Sequence, residues 1–218
     1  MNHGHENRVI LVGTLVNLGR GEKKEASFER RNNLGATITT FSLELTTPFG
    51  EAFTVPLEAM TQTVGKELLT RSQIGQPLVV EGTIRRRVNN DRRTAVEDND
   101  IGARTIETQI TVAQIRPARE DEPLGLSAVW LEGKVLTPPR IGNHRAFRDM
   151  ELARVIVQIT RKCPSSYPGS KALITEQMEV LVALPTEAEV GADILYRPGN
   201  VVRIEGQLDM TRIPQTNT

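Results

Sequence analysis

The stretch Gly75-Gln-Pro-Leu-Val-Val-Glu-Gly-Thr-Ile-Arg-Arg-Arg87 decides the fold, because it recurs later as Gly199-Asn-Val-Val-Arg-Ile-Glu-Gly-Gln-Leu-Asp-Met210. Both copies begin with glycine, continue with an apolar run, and carry a Glu-Gly pair at the same offset. Each copy is typical of a strand that leaves a tight turn and has an interior glycine where it bends or where another backbone approaches. The repeat predicts a duplicated chain.

A second strand repeats in the same order. Asn7-Arg-Val-Ile-Leu-Val-Gly-Thr-Leu15 recurs as Ser127-Ala-Val-Trp-Leu-Glu-Gly-Lys-Val135, 120 positions later. Two repeated strands at nearly the same spacing indicate tandem domains, and 218 residues are enough for two of them.

The segments between the repeats complete the pattern of each half. Residues 17–35 predict a long charged loop, and strands follow at 36–46 and 53–57, where Pro56 indicates an edge or a bulge. Residues 61–71 have apolar side chains at helical spacing, with Gly75 as a stop. In the second half a Thr186–Glu189 capping box precedes a helical stretch. Each half therefore runs three strands, a short helix and a fourth strand.

This order is that of the five-stranded Greek-key OB barrel, whose helix lies between strands three and four. The fold class is mainly all-β, with two tandem OB barrels. In the first half a basic ribbon at 85–93, with a turn at 89–91, leads to a fifth strand at 105–115. The second half ends eight residues after Met210. Its barrel lacks an obvious fifth strand and is either open, closed by another segment, or completed by a partner chain.

The domain boundaries follow from these elements. We predict a disordered tail at 1–6, OB domain 1 at 7–117, a linker at 118–126, OB domain 2 at 127–213 and a C-terminal tail at 214–218.

Composition excludes several classes of protein. Lys plus Arg equals Asp plus Glu, 27 against 27, so the molecule has no bulk attraction for nucleic acid, and binding requires local clustering. The single cysteine, Cys163, excludes an internal disulfide and a thiolate zinc site. No apolar run is long enough to cross a membrane, and no signal peptide precedes the first strand, so we expect a cytoplasmic protein.

The sequence offers little chemistry for catalysis. His144 is the only histidine outside the N-terminal tail, and no glycine-rich phosphate loop follows a strand. Paired acids at Asp98 and Asp100 lack the pattern of a calcium loop. We expect no enzyme activity, no cofactor and no metal site.

With these residues in place, the first half resembles the bacterial single-stranded DNA-binding protein family. The matching pieces are Asn7–Leu15, Thr40-Phe-Ser-Leu43, Phe53–Leu69 and Gly75–Arg87. The similarity covers about residues 7 to 117, and the second half matches mainly at 127–135 and 198–208. The order and spacing of these motifs are more specific than any one of them.

The resemblance implies sequence-tolerant binding of single-stranded DNA in replication, recombination or repair, in the cytoplasm at the nucleoid. Family members assemble four barrels, a number that a two-barrel chain reaches as a homodimer. They also carry several aromatic residues on the binding face and an acidic tail that recruits other replication and repair proteins. This chain is only 4% aromatic and ends Arg212–Thr218 without an acidic tip, so recruitment through a tail is not expected.

Single-strand binding requires cations along the phosphates and flat groups that stack on bases. One cluster of candidate cations lies on the basic ribbon: Arg85, Arg86, Arg87, Arg92 and Arg93. Strand alternation sends Arg85 and Arg87 to one face and Arg86 to the other. The alternative is a solvated hairpin or a subunit interface. A second cluster in the predicted loop is interleaved with glutamates, which favours a solvated loop over DNA contact; it comprises Lys23, Lys24, Arg30 and Arg31.

Two aromatic residues complete the candidate DNA-binding site. Phe53 falls where the family resemblance places a stacking tryptophan, and its alternative is a core phenylalanine. Trp130 alternates with the inward-facing Val129 and Leu131, which directs it outward, either to a base or to an interface between barrels. Other aromatic residues in predicted loops or strand ends, Phe28 among them, are also available to stack.

A second function is compatible with the same residues. A tandem OB protein whose barrels bind other proteins, as a replication-restart or mobile-element accessory factor, would show weak DNA binding or none. The neutral net charge and scarce aromatic residues favour this alternative. The basic ribbon and the motif order favour DNA.

Overall fold

The structure, a computed structural model, describes residues 5–18, 25–31, 35–46, 50–89, 105–144, 147–162, 173–183 and 191–208. These residues are almost entirely β. The strands are β1 Asn7–Leu15, β2 Ser27–Arg31, β3 Thr37–Thr46, β4 Ala52–Val64, β5 Pro77–Asn89, β6 Thr105–Pro117, β7 Ser127–Val135, β8 Arg140–His144, β9 Phe147–Lys162, β10 Leu173–Ala183 and β11 Val201–Gly206. A 3₁₀ helix spans Lys66–Thr70, and α1 spans Ala192–Leu195.

The chain divides into two compact units. One, which we call the first-repeat unit, contains residues 8–129 with 206–218; the other, the second-repeat unit, contains residues 1–7 with 130–205. The domain boundaries given from the sequence stay a prediction. No helix in the described part of the chain is long and apolar enough to span a membrane.

The first-repeat unit is a closed five-stranded barrel. Its strands pair in the ring β1, β5, β6, β4, β3 and back to β1. Every pairing is antiparallel except that of β4 with β6, which is parallel. This is the predicted OB topology, and the 3₁₀ helix lies between the third and fourth barrel strands, β4 and β5. The core is filled by fully buried side chains, among them Leu11, Phe41, Leu57, Leu78 and Ile110.

The second-repeat unit repeats this plan through four strands. β7 pairs with β9 and β11, β9 pairs with β10, and α1 lies between β10 and β11. The short strand β8 pairs with β9, as β2 pairs with β3 in the first-repeat unit. In the described part of this unit no fifth barrel strand follows β11.

Leu15 and Val135, which are 120 positions apart, make the same kinds of contact in the two units. Leu15 pairs with Leu43 where β1 meets β3, and Val135 pairs with Val157 where β7 meets β9. The Gly75 N–H donates to the Leu15 carbonyl at 2.7 Å, and the Gly199 N–H donates to the Val135 carbonyl at 2.9 Å. The sequence repeat therefore encodes a repeated strand-and-turn closure.

Two elements differ from the sequence predictions. The predicted loop at 17–35 contains β2, an exposed strand held to β3 by backbone pairing rather than by apolar burial, so it has no apolar period. The predicted helix at 61–71 is shorter, because β4 continues to Val64. Thr63 there is buried and donates from Oγ1 to the Val112 carbonyl at 2.7 Å, which keeps the segment beside β6.

Backbone hydrogen bonds join the start of the described chain to the second-repeat unit. They involve residues 5 and 6, within the tail predicted at 1–6. The His5 N–H donates to the Thr160 carbonyl at 2.8 Å, and the Glu6 carbonyl accepts from the Glu132 N–H at 2.8 Å. Backbone groups that pair in this way extend the ordered chain beyond the apolar run that marks β1.

Candidate functional site

In the first-repeat unit, residues that pair directly on adjacent strands form rows across the sheet. Successive rows face alternately toward the core and away from it. One row, the inner row, runs across β2, β3, β4, β6 and β5 through directly paired residues: Ser27, Phe41, Leu57, Ile110 and Ile84. The last four are buried, so this row belongs to the core.

The next row, one residue along each strand, faces away from the core because side chains alternate along a strand. We call it the outer row. Its directly paired residues are Phe28, Thr40, Glu58, Thr111 and Thr83. Three hydroxyl groups, one carboxylate and one aromatic ring thus line up across five strands.

The outer row has its aromatic residue at one end. Phe28 on β2 is 44% exposed, a large fraction for a phenylalanine in a strand. It borders an open cleft of about 630 Å³ whose lining includes Leu69 and Ile74. The ring therefore has free space beside it. Sequence reasoning noted Phe28 only as a loop aromatic, because no apolar alternation marks β2.

A candidate cation lies next to the other end of the row. Arg85 on β5 pairs in register with Gln109 on β6, and it shares the strand parity of Thr83. Its side chain is half-buried. β5 continues through Arg86 and Arg87 to Asn89, which pairs with Thr105, so the ribbon is a two-stranded extension of the barrel.

The other predicted cations divide into two groups. Arg92, Arg93, Lys23 and Lys24 lie outside the described residues. Arg30 and Arg31 are exposed but sit on β2, not in a loop. The guanidinium of Arg30 forms an ion pair with Glu58 of the outer row, so its charge is largely neutralised within the protein.

The two predicted stacking residues are both half-buried. Phe53 pairs with the buried Leu45 and shares the strand parity of Val55 and Leu57, which are core residues. This placement favours the core alternative for Phe53. Trp130 belongs to the second-repeat unit. Its neighbours in β7, Val129 and Leu131, are buried, and Trp130 faces the opposite side of the strand, as expected.

The chemistry that this arrangement supports is non-covalent binding. The described residues contain no group of three or more His, Cys, Asp or Glu side chains placed to hold a metal ion. Hydroxyl groups on the outer row can donate and accept hydrogen bonds, and Phe28 offers a flat apolar surface.

Comparison with known proteins places this barrel among solved structures. No protein-family model and no curated protein matches the sequence. The crystal structure of the wild-type single-stranded DNA-binding protein from Thermus aquaticus superimposes with a TM-score of 0.57 at 16% identity, over 94% of this chain and 85% of that one. A deletion mutant of the same protein matches with a TM-score of 0.56 at 19% identity, over 94% and 86%.

The fold is that of these single-stranded DNA-binding proteins. The similarity extends over both repeats, whereas the sequence resemblance was concentrated in the first. It confirms the predicted tandem OB architecture.

Proposed function

We propose that this protein binds single-stranded DNA with little sequence preference, as a non-enzymatic protein of replication, recombination or repair. The observation that carries the proposal is the outer row, with an exposed ring at one end and Arg85 beside the other. Four strand spacings separate Phe28 from Thr83, about 19 Å along the sheet. That length accommodates several nucleotides of an extended strand.

The residue types of the outer row fit binding with little sequence preference. Every base has a face that can stack on Phe28, and threonine hydroxyls can pair with donors or acceptors on any base edge. The basic ribbon follows the row on its β5 side, where phosphates would be neutralised. The single-stranded DNA-binding proteins of the same fold support the same ligand class.

The test is a fluorescence-anisotropy titration of labelled oligo-dT against a duplex of the same length, at two salt concentrations. We expect tight single-strand binding that weakens as salt rises, and much weaker duplex binding. Absence of oligo-dT binding at low salt would overturn the proposal.

We also propose that the chain forms a homodimer, which would bring four barrels together, and that it acts in the cytoplasm at the nucleoid. Sedimentation equilibrium should then give twice the mass of the 24.2 kDa chain. A monomer at micromolar concentration would contradict the dimer without affecting the DNA-binding proposal.

One observation favours the alternative of a protein-interaction module. In the second-repeat unit Ile194 and Val201 are 60% and 62% exposed, and Val202 and Ile204 are only half-buried. Apolar surface of this kind is typical of interfaces. If oligo-dT does not bind, these residues indicate where a protein partner would be sought.

A further inference from the structure

The central residue of the outer row is Glu58, on β4. Its side chain is only 10% exposed, and it lies between Thr40 and Thr111 in register. A carboxylate so shielded from water requires a charged or hydrogen-bonding partner. Arg30 supplies one, because its guanidinium donates to Glu58 Oε1.

The ion pair crosses β3, the strand between the two residues. Arg30 pairs in register with Ile38, and Glu58 pairs with Thr40, so the guanidinium reaches diagonally over the outer face. The arginine remains 43% exposed, while the carboxylate is covered. The middle of the candidate binding face is therefore close to neutral, although an arginine is at its surface.

A neutral centre affects the binding of phosphates and the binding of bases differently. A phosphate gains little there, since any attraction to Arg30 is opposed by repulsion from Glu58. The binding of a base is not weakened there, because stacking and hydrogen bonds to threonine do not require net charge. Duplex DNA presents phosphates along its outside and keeps its bases paired, whereas a single strand offers its bases freely.

We propose that Glu58 is a specificity-determining residue, which neutralises Arg30 and thereby selects against ligands that present only phosphates. This inference rests on the proposed function and deepens it. A bound single strand then directs its bases to the outer row and its phosphates to the side of Arg85. Duplex DNA and simple polyanions are disfavoured at the same face.

The test compares the ratio of duplex to oligo-dT affinity in wild type and in Glu58→Gln, which keeps the shape of the side chain and removes its charge. We expect Glu58→Gln to raise duplex affinity several-fold more than oligo-dT affinity. One additional phosphate contact steepens the duplex salt slope by about 0.9. The gain in duplex affinity should therefore shrink about three- to fourfold between 50 and 200 mM salt.

Three further variants make the result specific. Glu120→Gln changes the net charge equally at an exposed position beyond β6 and should leave the ratio unchanged. Arg30→Gln exposes the charge of Glu58 and should lower duplex affinity, and the double variant Arg30→Gln with Glu58→Gln should return the ratio to the wild-type value. If Glu58→Gln does not fold, the expected decrease in duplex affinity of Arg30→Gln still tests the inference.

The outcomes separate the inference from the proposed function. If wild type does not bind oligo-dT, both fail. If wild type binds oligo-dT but Glu58→Gln shifts the ratio no more than Glu120→Gln, the inference alone is overturned.

Discussion

Gly82 lies so close to the carbonyl oxygen of Thr111 that a Cβ placed on the glycine would stand 2.4 Å from that oxygen. The contact occurs where β5 passes β6, at the irregularity in their pairing between Glu81 and Gly82. A side chain there would force two barrel strands apart, so the interior glycine of the repeated stretch is a requirement of barrel closure.

We therefore expect Gly82→Ala to lower the free energy of unfolding by about 1–3 kcal/mol through overpacking, as measured by urea denaturation. Gly206 is the matched control, since it occupies the same place in the second repeat and nothing described lies within 4 Å of a Cβ built there. Gly206→Ala should change stability by no more than about 0.5 kcal/mol. Equal effects of the two variants would contradict this account of the glycine.

Phe28 and Phe53 should give opposite results when truncated. Phe28→Ala removes an exposed ring, so it should weaken oligo-dT binding by about 1–3 kcal/mol with little change in thermal stability. Phe53→Ala removes a ring on the core side of β4 and should lower stability by about 1–3 kcal/mol, less than for a fully buried phenylalanine. Anisotropy titration and thermal melting of both variants check this. A loss of affinity for Phe53→Ala alone would instead support the position given by the family resemblance.

Arg85 should contribute to phosphate binding. Arg85→Gln is expected to weaken oligo-dT binding at low salt and to make the dependence of log affinity on log salt shallower by about 0.7. Arg119→Gln, an equal change of charge at an exposed position after β6, serves as the control and should leave the slope unchanged. An unchanged slope for Arg85→Gln would remove this arginine from the interface.

The ion pair between Arg116 and Glu122 should make stability depend on pH. The hydrogen bond donated by the Arg116 side chain, together with one from the Arg119 N–H, lowers the pKa of Glu122 from 4.5 to about 2. Because this pKa is lower in the folded state, the stabilisation is fully present above about pH 4.5 and is lost as pH falls toward 2. Glu122→Gln should therefore melt at a lower temperature than wild type at pH 7.

The same comparison at low pH provides the control. The difference in melting temperature between wild type and Glu122→Gln should diminish steadily between pH 5 and pH 2. A difference that is independent of pH would show that Glu122 stabilises the fold by packing rather than by charge.

Much of the fold was readable from local sequence. β1 and β7 begin and end at the predicted residues, and each is an apolar run of strand length with an interior glycine. The interior glycine of each copy of the repeated stretch also predicted a bend or a close backbone approach; Gly82 shows the close approach, whereas Gly206 does not. These features are local because period, turn residues and the absence of a Cβ act within one segment of chain.

The candidate site was much less readable. β2 was not predicted, because an edge strand with exposed side chains lacks the alternation of apolar and polar residues that marks a half-buried strand. Phe28 was consequently assigned to a loop. The Arg30–Glu58 ion pair joins residues 28 positions apart, on strands that a third strand separates. Neither residue carries a local signal of that contact.

The sequence by itself therefore determined the duplication, the strand order and the close backbone approach at Gly82, since each depends on periodicity or on a residue without a side chain. Tertiary structure alone decided which residues stand side by side in the outer row. Register between strands depends on the packing of the whole barrel, and a shift of one residue would exchange the outer row for the inner one.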